Sequence, residues 1–131
     1  MTGPTTTPPT RPWRGEEDVM LKQLLDIKGV EAVAHFREES GEPWQVHGDL
    51  SEAEANRLTR LAHDFKRMTQ GHADQLALFV NQPGWTPANG WIVHGGQRTV
   101  CGVASMVAVV DSAEANLTEV MKGLAREAFF L

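Results

Sequence analysis

Apolar residues recur along this 131-residue chain with two periods, and the switches between them mark the elements. In residues 16–27, EEDVMLKQLLDI, helical spacing sets Val19, Met20, Leu24 and Ile27 together behind Glu16, Glu17 and Asp18, acids that suit the positive end of a helix dipole. This spacing predicts a first helix, ended by Gly29. Over residues 30–36 the period drops to two, with Val, Ala, Ala and Phe at the even positions, which predicts a strand. Beyond Glu39-Ser40-Gly41, a hairpin loop with glycine where a left-handed backbone is wanted, Trp44 and Val46 resume the alternation. A register with Phe36 opposite Trp44 and Ala34 opposite Val46 places all four on one face.

Ser51 followed by Glu54 reads as a capping box. Behind it Leu58, Leu61, Phe65, Met68, His72, Leu76 and Phe79 recur every three or four residues, the pattern of one long helix. Gly71 lies inside it at a cost of about 1 kcal/mol relative to alanine, so a kink or early break is placed there. Prolines and glycines make residues 81–90 a loop. Residues 91–94, 99–103 and 106–110 read as three short strands joined by turns at Gly95-Gly96 and Ala104-Ser105. Asp111 with Glu114 forms a second N-terminal box, ahead of a last helix with the stripe Leu117, Val120, Met121, Leu124 and Ala128. The element order is αββαβββα, an α/β (α+β) domain.

Composition narrows the setting. Four of the seven prolines and no Leu, Ile or Val fall in residues 1–15, so that stretch is expected to be a disordered tail ahead of one domain over 16–131. Neither a secretory signal nor a membrane span is expected, because the longest apolar stretch is far below spanning length. The single cysteine, Cys101, excludes an internal disulfide and fits a reducing compartment, with the cytoplasm as the expected location. The net charge is −5 even with two arginines in the tail, a poor balance for holding phosphates, so nucleic acid is not expected as a partner.

Candidate chemistry is sparse. His63 and His72 are nine residues apart, on opposite sides of a helix, and cannot share an ion within one chain. His35 and His47 fall on the hairpin's more polar face without a thiolate or carboxylate partner in the pattern, so no metal is expected. His72, inside the apolar stripe, reads as a hydrogen-bonded core or interface histidine, and Cys101, between Val100 and Gly102, as a small buried hydrophobe. Ser40, Ser51, Ser105 and Ser112 fall in turns and caps, none in a nucleophile elbow. Gly95-Gly96-Gln97-Arg98 lacks the Lys-Ser/Thr of a phosphate loop. Neither a catalytic set nor a cofactor site is expected.

Residues 27–33, IKGVEAV, leading into the glycine hairpin, together with residues 90–120, GWIVHGGQRTVCGVASMVAVVDSAEANLTEV, resemble the roadblock/LC7 family over about residues 19–125, and within it an uncharacterised bacterial branch. The long loop over 81–90 departs from the family pattern. This resemblance implies a five-stranded antiparallel sheet with the long helix on one face and the first and last helices on the other. It also implies dimers formed through the third strand and the long helix, acting as adaptors, scaffolds or regulators of small Ras-like GTPases.

On that fold Trp91, Ile92, Val93 and His94 form an edge strand without the charges, proline or bulge that protect a solitary edge. A homodimer interface is expected there, with Leu61, Phe65 and Met68 of the long helix. Arg57, Arg60 and Arg67, with Asp64, make a stripe beside those apolar positions, a candidate basic ridge for a protein partner, whether a GTPase or another cytoplasmic complex, or otherwise a solvated face. Trp85 and Trp91, on or beside the loop, are candidate exposed anchors, with Trp85 set against the same partner, or otherwise rings folded back over the end of the sheet. The other reading is a small-ligand sensor whose pocket is lined by Trp44, Trp85 and Trp91.

Overall fold

Residues 21–23 are helical and pass into a 3-10 turn, Leu24–Asp26. They are the part of the expected first helix within residues 21–80 and 90–130, which the computed structural model describes. The expected tail, residues 1–15, and the start of that helix lie outside these residues. Gly29 turns the chain with φ +89°, and a Cβ there would meet the backbone nitrogen of Ala115 at 2.7 Å, so glycine serves both the turn and the close approach.

β1 (Val30–Phe36) and β2 (Pro43–Gly48) form an antiparallel hairpin closed by the Arg37 N–H on the Glu42 carbonyl at 2.9 Å. Ala34 stands opposite Val46 as expected, but the register slips beside His35, and Phe36 faces Pro43 instead of Trp44. The extra residue sends Trp44 to the other face, where its ring stacks on His35 with centroids 6.0 Å apart. A second irregularity between Val30 and Ala32 moves Val30 off the face of Ala32, Ala34 and Phe36.

α1 (Glu52–Gly71) starts at a complete capping box: the Glu54 N–H donates to Ser51 Oγ at 3.1 Å and the Ser51 N–H to Glu54 Oε1 at 2.8 Å. The expected long helix breaks where glycine weakens it, and α2 (Ala73–Val80) follows after His72. Hydrogen bonds from the His72 N–H to the Met68 carbonyl and from the Leu76 N–H to the His72 carbonyl keep α2 on the course of α1. β3 (Gly90–His94), β4 (Arg98–Val103) and β5 (Met106–Asp111) come next, then α3 (Leu117–Phe130). Asp111 does not cap this helix. Its carboxylate accepts from the Ala113 and Glu114 N–H groups to hold a separate turn, and the Asn116 side chain receives the Glu119 N–H at 3.1 Å instead.

The sheet is antiparallel throughout, in the order β2-β1-β5-β4-β3. One face buries Ala32, Ala34, Phe36, Val107 and Val109 under Leu58 and Ala62 of α1. The other buries Val33, Cys101, Val103, Ala108 and Val110 under Leu21 and Leu24 of the first helix and Val120 and Leu124 of α3. Helices therefore cover both faces, and each large side chain removed from water, such as Phe36, contributes about 1.5–3 kcal/mol.

Candidate functional site: the β3 edge and the flank of α1

β3 stands at the end of the sheet, paired on one side only. All five of its residues pair with β4 in regular register, from Gly90 opposite Val103 to His94 opposite Thr99, without a bulge. Ile92 and Val93 are 42% and 40% exposed. Trp91 lies across Gly102, where a Cβ would enter the indole ring, and its outer side stacks on Phe65 of α1 with centroids 4.9 Å apart. Glycine in β4 thus makes the space that lets α1 seat against the edge strand.

Along α1 the exposed Leu61 (43%) and Met68 (51%) bracket Phe65 on the side of β3. The structure therefore brings Leu61, Phe65, Met68, Trp91 and Val93 to one face of the edge. Ile92, opposite Cys101 in register, belongs to the other face, so the strand carries apolar groups on both sides. His94 ends it, exposed. Arg57, Arg60, Asp64 and Arg67 are exposed, and their spacing of three, four and three sets them along one stripe beside the apolar flank. Trp85 lies outside the described residues.

A second feature sits at the other end of the sheet. Trp44, displaced by the bulge, stacks on His35 and lies 4.2 Å beneath the Arg37 guanidinium, beside a cavity of about 320 Å³ that Ser105, Met106 and Ala128 also line. His35 Nε2 is 3.1 Å from Ser105 Oγ, a pair 70 residues apart in the chain that no local pattern announced. Trp91 packs on the α1 face and Trp44 on the α3 face, so these two tryptophans do not line a common pocket, which corrects the expectation for a ligand sensor. Of the two tryptophans of that set among the described residues, the cavity keeps Trp44.

The remaining candidates resolve into structural roles. His63 donates from Nε2 to the Glu38 carbonyl at 2.7 Å and fills the space beside Gly41. His72 is exposed at the helix break and bonded to Gln75 Oε1 at 3.1 Å, which removes the core from the core-or-interface expectation. Lys66 bonds Glu38 at 2.7 Å and lowers its pKa. Burial pushes the Cys101 thiol up to about 11, so it stays protonated and unreactive at neutral pH. Ser112 locks the β3–β4 turn by donating to the Gly95 carbonyl at 2.7 Å and meeting Thr99 Oγ1 at 2.8 Å, a role its sequence context did not reveal. Among the described residues there is neither a group of three or more His, Cys, Asp or Glu placed to hold a metal nor a helix long and apolar enough to cross a membrane.

A β2-β1-β5-β4-β3 sheet between one long helix and a first-and-last helix pair is the roadblock/LC7 fold. The chain is similar to a solved MglB with tetrameric arrangement, with a TM-score of 0.70 at 18% identity over 97% of this chain and 92% of that one. A roadblock/LC7 domain from Streptomyces avermitilis gives 0.67 at 10% identity, covering 84% and 89% of the two chains. The gliding protein MglB from Thermus thermophilus gives 0.62 at 18% identity, covering 99% and 100%. Within this fold the chain belongs to the family described as uncharacterized conserved protein (DUF2173), whose model matches residues 20–126. No curated protein matches it.

Proposed function

We propose that this protein is a non-catalytic homodimeric adaptor of the cytoplasm that binds a protein partner, a small Ras-like GTPase. The observation that carries the reading is the β3 edge: five residues of regular strand with exposed Ile92 and Val93 and an apolar helix flank beside them. A hydrophobic edge of this kind invites another strand, and the same strand of a second copy satisfies its outer backbone groups across a two-fold axis. Burial of Leu61, Phe65 and Met68 would then add toward the roughly 800 Å² per partner of a stable interface.

The partner class rests on the roadblock fold and on the stripe of Arg57, Arg60 and Arg67, which suits an acidic protein surface although the chain as a whole is acidic. Such a platform acts on a GTPase by repositioning the GTPase's own loops, with no donated arginine finger. Trp85 is assigned to the same contact. Light scattering coupled to size exclusion at micromolar concentration tests the dimer: twice the chain mass of 14.4 kDa is expected, and a constant single mass would refute it. For the partner, saturable binding of a Ras-like GTPase loaded with a non-hydrolysable GTP analogue is expected. Equal indifference of the GTP- and GDP-loaded forms would remove the GTPase from the reading.

A further inference from the structure

We infer that the cavity beside Trp44 is a small-molecule site for a free amino acid with an apolar side chain, its carboxylate on Arg37 and its ammonium group on Glu39. The cavity lies at the hairpin end of the sheet, where the β4–β5 turn and the last turn of α3 come together, and none of its lining belongs to the β3 edge. Its occupation is independent of the dimer.

Links between distant segments fix the walls. The Phe36 N–H donates to the Ser105 carbonyl at 2.9 Å, His35 Nε2 lies 3.1 Å from Ser105 Oγ, and the Arg37 carbonyl accepts the Gly41 N–H at 2.8 Å. Ala104, in the same wall, has φ +52° and is the only residue besides glycine with a positive φ among the described residues. Alanine adopts that backbone at a cost, and strain of this kind gathers at ligand sites. At about 320 Å³ the cavity is at the small end of the range for ligand pockets, which begins near 300 Å³.

The charges at the mouth select the ligand. Arg37, Glu38 and Glu39 line it. Glu38 is already engaged, its carboxylate by Lys66 at 2.7 Å and its carbonyl by His63. Among the described residues neither the Arg37 guanidinium nor the Glu39 carboxylate has an ion-pair or hydrogen-bond partner. Arg37 instead lies 4.2 Å over the Trp44 ring, which steadies it while its in-plane N–H groups stay open to a carboxylate. A net anion would meet Glu39 and a chain of net charge −5, and a net cation would bury Arg37 without a partner. A zwitterion answers both groups at once. Beyond the charges the lining turns apolar, with Trp44, Ala128 and the buried Met106, which suits an aliphatic or aromatic side chain.

Isothermal titration calorimetry of the full chain with L-leucine, L-methionine and L-phenylalanine tests the site. At least one of the three is expected to bind with one molecule per chain. Its N-acetyl derivative, which lacks the ammonium group, and its amide, which lacks the carboxylate, should each bind at least about tenfold more weakly. Arg37→Gln and Glu39→Gln, both at exposed positions, should leave the melting temperature nearly unchanged and weaken the free amino acid by a similar factor. Arg37→Gln should also cease to distinguish the acid from its amide, and Glu39→Gln the free amine from its N-acetyl form. No binding of any of the three at about 10 mM, far above the usual range for a specific site, overturns the inference. So does an N-acetyl derivative that binds as tightly as its parent, which would leave a site for simple carboxylates. Unchanged binding in either variant also overturns it, because the head group would then be held elsewhere.

Discussion

The sheet has two edges, and they are built in opposite ways. β2 begins at Pro43, which has no N–H to offer a neighbour, is bent by a bulge at Trp44, and ends at Gly48 with φ +109°. Those are the devices that stop a strand from recruiting another. β3 has none of them: its five pairs with β4 are regular and its central residues are apolar and half exposed. In the proposed dimer the bare edge is the one that a second copy covers. The contrast also separates two tryptophans, since Trp44 belongs to the guarded edge and Trp91 supports the open one.

The strongest way to break the comparison is to charge the open edge. Ile92→Asp/Val93→Asp should fold, because both positions are partly in solvent, yet it sets like charges against each other across a two-fold seam. Such a clash costs several kcal/mol, a loss of more than a hundredfold in dimer affinity. Light scattering at micromolar concentration should then give the single chain mass. A variant as dimeric as wild type would show that β3 does not form the seam.

Removing the support of the same edge should cost less. In Gly102→Val the new side chain occupies the place of the Trp91 indole and lifts it from Phe65. Overpacking of this kind costs about 1–3 kcal/mol. A lower melting temperature and a blue-to-red shift in tryptophan emission are expected, and an unchanged spectrum would mean that the stack does not exist in solution. The reverse experiment unguards β2: Pro43→Val restores an N–H at the protected edge. Its effect should be confined to some concentration-dependent light scattering, since the bulge and Gly48 remain.

Away from both edges, Glu127 of α3 is buried with Oε1 lacking a hydrogen-bond partner, and desolvation raises its pKa. A carboxyl whose folded pKa exceeds its unfolded one holds its proton more tightly in the folded state, so its contribution is fully present below about pH 4.5 and is lost as pH rises through the folded value. Glu127→Gln should therefore raise the urea midpoint at pH 7 and leave it nearly unchanged at pH 4, which denaturation at the two pH values would check. Smallest of all should be the effect of Arg60→Glu/Arg67→Glu on the dimer. Exposed charges on α1 contribute well under 1 kcal/mol to folding, so mass and stability should hold while binding to an acidic partner weakens in a salt-dependent way. Equal binding at low salt would leave the stripe a solvated face.

Periodicity alone carried most of the fold. The switch from period 3.6 to period two located β1, β3, β4 and β5 to within a residue and marked the middle of β2 at Trp44 and Val46, because side-chain direction follows from local backbone geometry. The Ser51–Glu54 box and the glycine at position 41 are likewise local, and the structure contains both. Gly71 marked the helix break for the same reason: its cost is a property of the residue itself. The apolar identity of Trp91, Ile92 and Val93 was legible too. What made them a candidate site was the place of β3 at an edge, which came from resemblance to a family and which the sheet order bears out.

Only the tertiary structure decided the rest. Alternation predicts that Trp44 follows Phe36 to one face, and a single extra residue reverses it, since register is set by pairing with β1 and no local signal records the slip. Asp111 and Asn116 carry equivalent capping side chains, and the choice between them depends on where packing against Leu24 and Ile27 lets α3 begin. The Gly102 gap beneath Trp91 and the Ser112 lock join residues far apart in sequence, as does the His35–Ser105 pair. The amino-acid sequence by itself determined which segments are helices and strands and which of their faces are apolar. Which apolar face is left bare was decided by assembly of the sheet, because exposure belongs to the neighbours an element acquires and not to the element alone.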